Sequence, residues 1–261
     1  MCRLLGLVAN RPTSTYFGFY AAPKNSLEKL SKVHCDGWGI AWHNGKWHLY
    51  KEIMPLYKSQ VARELIINCV RGRIIIAHVR KASAGSNKIE NTHPFIYNNW
   101  VFAHNGTIYN RDFIIKMLKC EHKEAIEGAT DSEAFFHLVV QEIEECGDVV
   151  IGIREAVSKL IHNGIKFSSL NFLASEGTNL YALRYAEEKP DYFTLYYAHN
   201  PWIHESPQLV RQLMQSKLIK DHELVAVASE KMSNDSLWNP IPNKALLIVN
   251  SDLRVHIVPL D

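Results

Sequence analysis

Several things are scarce in this sequence, and each scarcity removes a class of protein. No apolar run approaches the ~18 residues needed to cross a bilayer, so no membrane partner is expected. The one hydrophobic stretch near the N-terminus, Leu4–Ala9, is followed by Asn10, Arg11 and Pro12. It is shorter than a signal-peptide core of about 7–15 residues, and no small-residue cleavage site follows it. Net charge is nearly absent: 29 Lys and Arg stand against 27 Asp and Glu, a formal +2. With no block of like charge either, nothing points to nucleic acid. There are five cysteines, Cys2, Cys35, Cys69, Cys120 and Cys146, an odd number with no Cys-x-x-Cys pair. This pattern predicts free thiols in a reducing cytoplasm, with neither a disulfide framework nor a structural zinc site. The 13 histidines include no His-Glu-x-x-His pattern, and no metal site is expected. Internal repeats, low-complexity tracts and Pro/Gly/Ser linkers are missing as well. The chain of 261 residues, 47% of them hydrophobic, therefore reads as one domain over 1–261 with ample material for a core.

What is present is a series of short apolar segments. The pattern predicts strands at Leu4–Ala9, Gly39–His43, Lys46–Lys51, Arg73–His78, Trp100–His104, Leu170–Ser175, Leu180–Tyr185, Phe193–Ala198, Leu224–Ser229, Ala245–Asn250 and Val255–Pro259. Asn44-Gly45 predicts a hairpin with a type I′ turn, and Glu176–Asn179 a looser one. Helices gather in the middle. Tyr57–Val70 carries Val61, Leu65 and Cys69 at helical spacing, and Asp131–Glu145 carries Phe135, Leu138, Val139 and Ile143 on one face. Thr130-Asp131-Ser132-Glu133 has the form of a capping box at the start of the latter helix. A third helix buries Ile153, Ala156, Val157, Leu160 and Ile161 and ends at Asn163-Gly164; a shorter one is expected at Pro207–Lys217. Strands, then central helices, then strands again do not make a doubly wound parallel sheet. Two antiparallel sheets with helices outside them fit better. The aromatic group Trp38, Trp42, Trp47 and Tyr50 is expected to pack in a core and hairpin; no basic groove accompanies it to make a base-stacking platform.

Cys2 is the sharpest chemical feature. Removal of Met1 leaves a residue with a thiol and a free α-amine on adjacent atoms. The reference values, about 8.5 for a thiol and about 7.7–8.0 for the amine, let the amine act as base and supply the thiolate nucleophile. Three further segments follow: His78-Val79-Arg80-Lys81-Ala82-Ser83-Ala84-Gly85 with Asn91-Thr92-His93-Pro94-Phe95, then His104-Asn105-Gly106-Thr107-Ile108, then Thr130–Glu133. Taken singly, each has an ordinary explanation. Arg80 reads as a surface cation after a strand, Asn105-Gly106 as a hairpin turn, His93-Pro94 as a bend, and Asp131 as a carboxylate complementing a helix dipole.

Together and in this order, the segments resemble the glutaminase domain of the class II glutamine amidotransferases, within the N-terminal nucleophile hydrolase superfamily, and in particular short stand-alone proteins of the YafJ type. His34–Ala41 is similar to the family's Gly-rich segment near the second strand, and Ala228-Ser229-Glu230 to a late strand-end motif. Lys81 stands where the sugar-aminating members have Trp, which argues against that branch. The resemblance implies an α+β fold, a four-layer αββα sandwich of two antiparallel sheets. It implies Cys2 as nucleophile with its own amine as base. The Asn105 side-chain amide and the Gly106 N–H form the oxyanion hole, Arg80 holds the substrate α-carboxylate, and Asp131 holds its α-ammonium. His93 and Ser83 are supporting residues. The expected substrate is a small molecule, glutamine or a γ-glutamyl compound. Three readings stay open: an independent amidohydrolase, the glutaminase subunit of a two-chain amidotransferase with a separate synthase, and a non-catalytic γ-glutamyl-binding module. A homodimer is compatible with the first.

Overall fold

The structure is a computed structural model that describes residues 2–82, 85–202 and 222–260. The helix expected at Pro207–Lys217 lies outside those residues. In chain order the elements are β1 (Arg3–Thr13), α1 (Leu27–Ser31), β2 (Trp38–His43), β3 (Trp47–Glu52), α2 (Gln60–Asn68), β4 (Gly72–Val79), β5 (Phe95–Tyr97) and β6 (Trp100–Asn105). They continue as α3 (Arg111–Met117), α4 (Cys120–Glu124), α5 (Asp131–Cys146), α6 (Val149–His162), β7 (Asn171–Ser175), β8 (Leu180–Arg184) and β9 (Tyr196–His199). The last are β10 (Leu224–Ala228), β11 (Asn239–Pro240), β12 (Ala245–Val249) and β13 (Val255–Pro259).

Two sheets result, one in the order β11-β9-β10-β1-β4-β2-β3 and the other β13-β12-β8-β7-β6-β5. The paired strands run antiparallel throughout. The period-2 geometry of a strand sends alternate side chains to opposite faces, and here both faces are apolar. In β1, Leu4 and Val8 join Ile74, Ile76, Val101, Ala103, Leu173 and Leu247 between the sheets. Leu5, Leu7 and Ala9 face the other way, onto Phe19, Leu27, Ala62 and Ile66 from the helical side. Phe102, Phe172 and Leu183 of the second sheet pack on Phe135, Leu138, Val139 and Ile153 of α5 and α6. Three apolar layers thus separate four structural layers, αββα, as the resemblance implied. Each fully buried Leu, Ile or Phe contributes about 1.5–3 kcal/mol, so the inter-sheet layer is a main source of stability.

Local departures have local causes. The predicted helix at Tyr57–Val70 is broken: a 3₁₀ turn covers Leu56–Lys58, and α2 begins after Ser59. The Ser59 hydroxyl accepts the Ala62 N–H at 3.0 Å, which caps the helix. Its buried stripe is Ala62 and Ile66, continuing to Val70, while Val61 and Cys69 face solvent. Two adjacent apolar stripes exist in this segment, and periodicity alone favoured the wrong one. The Asn44-Gly45 hairpin is present, but His43 pairs with Trp47 across a three-residue loop and Gly45 alone has positive φ (+79°); the turn is not type I′. The strand expected from Phe193 starts at Tyr196. Thr130 caps α5 through the Glu133 N–H, but the Glu133 carboxylate turns away to accept the N–H groups of Glu127 and Gly128. The capping box is therefore half made, and burial raises the Glu133 carboxyl.

Candidate active site

The N-terminal strand carries Cys2 to the edge of a small cleft, and the cleft gathers residues from four separate parts of the chain. Cys2, Arg80, His93, His104, Gly106 and Asp131 all line it. The Cys2 sulfur is held by the backbone of one residue, accepting the Lys81 N–H at 3.4 Å while its S–H donates to the Lys81 carbonyl at 3.4 Å. Burial pushes the thiol up; the Lys81 N–H and the charges of Arg80 and Arg3 pull it back. The late strand-end motif holds this strand in place. Leu4 N–H donates to the Ser229 hydroxyl at 3.0 Å, and Arg3 pairs with Glu230 at 2.7 Å.

The Arg80–Ala82 segment is itself pinned from β2's side. Asp36 N–H donates to the Arg80 carbonyl, and Arg80 N–H donates to the Gly37 carbonyl. The Asp36 carboxylate accepts the Ala82 N–H at 2.8 Å. Asp36 thereby orders the peptide that grips the nucleophile. The Arg80 side chain is buried, its guanidinium donating to Asn87 Oδ1 at 3.2 Å and to the Gly85 and Ser86 carbonyls at 3.5 Å. Burial lowers its pKa, opposed by Cys2 and Asp36.

Asn105 ends β6 opposite Asn171, so Asn105-Gly106 is not a hairpin turn. The chain continues to Ile108, which bridges Phe167. Asn105 is buried, and its Oδ1 has no hydrogen-bond partner among the described residues. It stands beside the cleft rather than among the residues lining it. Gly106 passes so close to Ser169 that a Cβ would overlap the Ser169 carbonyl and crowd the His104 ring. Only glycine fits there. Gly106→Ala is expected to destabilise the protein by about 3 kcal/mol, the upper end for overpacking, read as a lowered Tm; an unchanged Tm would contradict this packing.

Asp131 opens α5 and is buried. One carboxylate oxygen accepts the Ile108 N–H at 2.6 Å, tying the helix start to the Gly106 segment. His104 reinforces that tie. Its Nε2 meets the Ser169 carbonyl at 3.1 Å and its Nδ1 the Ser132 hydroxyl at 2.9 Å. A carbonyl only accepts, so Nε2 carries the proton and Nδ1 accepts from Ser132. Burial lowers the His104 pKa, which favours the neutral ring. His93 packs against His78, the rings tilted by 36° with centroids 4.3 Å apart, and neither ring nitrogen of His93 has a hydrogen-bond partner among the described residues. Burial drives His93 well below the usual histidine range and His78 down to about 3, with Arg80 adding to both.

Of the residues singled out from sequence, Cys2, Arg80, His93, Gly106 and Asp131 therefore share one cleft, and Asn105 adjoins it. Ser83 lies outside the described residues. Sequence reasoning missed Asp36, His104, Ser132 and Ser169 as members of this assembly. Asp36, His104 and Ser132 sat inside segments already noticed, but nothing near Ser169 marks it. Among the described residues, Glu121, His122 and Glu144 are the group that could hold a metal. Glu144 lies thirteen residues along α5 from Asp131, about 20 Å at the usual rise, and His122 is already hydrogen-bonded to it at 3.1 Å.

The sequence matches the family of class-II glutamine amidotransferases over residues 1–257. The chain belongs to that family, whose members are enzymes using the side-chain amide of glutamine. It is 32% identical over 185 residues to a Haemophilus influenzae protein named for glutamine amidotransferase activity, covering 68% of this chain and 60% of that protein. It is also 32% identical over 166 residues to Escherichia coli YafJ, covering 62% of each. The matched region thus spans about three fifths of the length of both relatives. Among solved structures, a class-II glutamine aminotransferase domain protein from Silicibacter pomeroyi superposes with a TM-score of 0.66 at 19% identity, covering 99% of both chains. The Bacillus subtilis glutamine phosphoribosylpyrophosphate amidotransferase gives 0.65 at 18% identity, covering all of this chain and 49% of that one. At these identities the likeness establishes the shared two-sheet fold.

Proposed function

We propose that this chain is an N-terminal-cysteine amidohydrolase that cleaves the γ-amide of glutamine or of a γ-glutamyl compound, with residues 1–261 acting as one glutaminase domain. One observation carries the reading: a thiol, a buried guanidinium and a buried carboxylate meet in a single cleft. A γ-glutamyl group carries an α-carboxylate and an α-ammonium at one end and the reactive carbonyl at the other. Arg80 suits the carboxylate through its planar fork, and Asp131 suits the ammonium. Pairing both charges leaves the γ-carbonyl for Cys2.

With Met1 removed, the Cys2 amine takes the thiol proton as sulfur bonds to the carbonyl carbon. The carbonyl π pair moves onto oxygen, where the Gly106 N–H and the Asn105 amide stabilise it. Collapse breaks the C–N bond, and the proton passes from the Cys2 amine to the departing nitrogen, releasing ammonia or an amine. Water then attacks the γ-glutamyl thioester and frees glutamate, and the thiol regains its proton. His93, held neutral by burial, supports the Arg80 side of the cleft. The five free thiols favour a reducing compartment, the cytoplasm.

The test is glutamate release from glutamine and from γ-glutamyl amides by the purified, Met1-free chain. Arg80→Lys and Asp131→Asn are expected to raise KM by roughly 10–100-fold, the loss of one charge-assisted contact, with kcat nearly kept. Asn105→Ala is expected to lower kcat by about 10²–10³-fold. An Asn105→Ala effect confined to KM would contradict its oxyanion role. Activity that arises only with a separate synthase would favour the two-chain reading. Tight γ-glutamyl binding without turnover would favour the non-catalytic one.

A further inference from the structure

A second hollow, of about 490 Å³, adjoins the segment that follows Gly106. Its walls include Thr107, Tyr109, Phe167, Ser168, Tyr192 and Phe193. That volume falls in the range of small-molecule sites, about 300–1,000 Å³. One stretch of chain serves both hollows: Gly106 lines the cleft and Thr107 lines the hollow, with consecutive Cα atoms about 3.8 Å apart.

We propose that this hollow receives the leaving amine of a γ-glutamyl conjugate, and that the amine has an aromatic or otherwise bulky apolar body with a polar end. The proposal rests on the amidohydrolase reading. With the γ-carbonyl oxygen at the Gly106 N–H, whatever the scissile nitrogen bears extends past Thr107 into the hollow. The segment that runs from the cleft into the hollow is rigid. Thr107 N–H donates to the Ser168 hydroxyl at 2.9 Å, and Ser168 N–H donates to the Thr107 carbonyl at 2.8 Å. Tyr109 N–H donates to the Lys166 carbonyl at 2.9 Å, and Asp131 fastens the Ile108 N–H between them. A wall tied to the residue that holds the substrate ammonium keeps both halves of a conjugate in register.

The chemistry of the lining selects the class of amine. Tyr109 and Tyr192 line the hollow and are 56% and 60% exposed, large rings that offer an aromatic or apolar body a stacking face. The rim carries charges of both signs, Lys166 and Lys189 with Glu187 and Glu188, which suits a leaving group with its own polar end. Ammonia departing from glutamine would use none of these groups.

Two dipeptides with the same type of scissile amide, γ-glutamyltyrosine and γ-glutamylglycine, test this alongside glutamine. The native Met1-free chain is expected to show a kcat/KM at least 10-fold higher for γ-glutamyltyrosine than for γ-glutamylglycine. Tyr192→Ala, at an exposed position that leaves the fold intact, is expected to erase most of that preference through KM while glutamine turnover stays unchanged. Equal kcat/KM for both dipeptides, or a preference untouched by both Tyr192→Ala and Tyr109→Ala, would overturn the subsite while glutamine turnover still upheld the amidohydrolase. Absence of glutamate from all three substrates would overturn the amidohydrolase reading itself and the subsite with it.

Discussion

Cys2→Ala is expected to abolish glutamate release, by at least about 10³-fold, while leaving the thermal transition close to that of the native chain. The small stability effect follows from position. Cys2 is only partly buried, and the strand it begins is anchored independently by Ser229 and Glu230. Keeping Met1, or adding an uncleaved N-terminal tag, is expected to be nearly as damaging, because either converts the amine to an amide and removes the base. A γ-glutamyl alkylating agent followed by peptide mass analysis is expected to label Cys2 ahead of the other four cysteines. All four are exposed, so labelling by accessibility alone would favour them. Preferential labelling of Cys35, or turnover by the alanine variant, would remove Cys2 from the mechanism.

Mild acid is expected to unfold this protein far more readily than its near-zero net charge suggests. His78, His93 and His137 are buried, with pKa values pushed down to about 3, well below the usual range, and down to about 4 respectively. Burial is the main cause in each case. In the unfolded chain each titrates near 6.5. Below that value the unfolded state binds protons that the native state refuses, so stability falls as pH falls. The stabilisation is complete above about pH 6.5 and is lost progressively down to the native-state values. Each histidine costs about 1.4 kcal/mol per pH unit in that window, so His78 and His137 alone cost about 4 kcal/mol at pH 5, and His93 adds in the same direction. This is a large part of the whole stability of many domains, about 5–15 kcal/mol. Thermal melts between pH 7.5 and 5 are expected to show a steep fall in Tm, with a shallower slope in His137→Gln. A flat Tm over that range would show that these rings accept protons in the folded state.

Most strands were legible because their apolar runs are bounded by turn residues, and both faces of each central strand are buried. That double burial also explains why alternation was weak and why sheet order stayed out of reach. β1 lies between β4 and β10, partners about seventy and two hundred and twenty residues away in sequence, and no local pattern encodes such pairings. The short helices α3 and α4 and the three-residue strand β5 went unseen because they are stabilised by packing on α5 and β6, not by their own periodicity. α5 shows the same limit from the other side. Its whole length to Ile143 is buried, so the single apolar face read from its sequence understated it.

For the site, the sequence by itself determined which chemistry-bearing residues exist and in what order: a thiol at position 2, then Arg80, Asn105-Gly106 and Asp131. It also determined family membership, since the residue types in those motifs are demanded by the chemistry. Only the tertiary structure decided that Cys2, Arg80, Gly106 and Asp131 face one cleft, because sheet pairing and the closing of the two-sheet sandwich bring them together. It alone disclosed what Asp36, inside the His34–Ala41 segment already singled out, does for the peptide holding the sulfur, and it alone disclosed Ser169, whose backbone carbonyl leaves room only for glycine at 106. The reason is physical: a nucleophile or a charged ligand must be a particular side chain, whereas a backbone carbonyl or N–H that positions it can come from any residue and leaves no mark in the sequence.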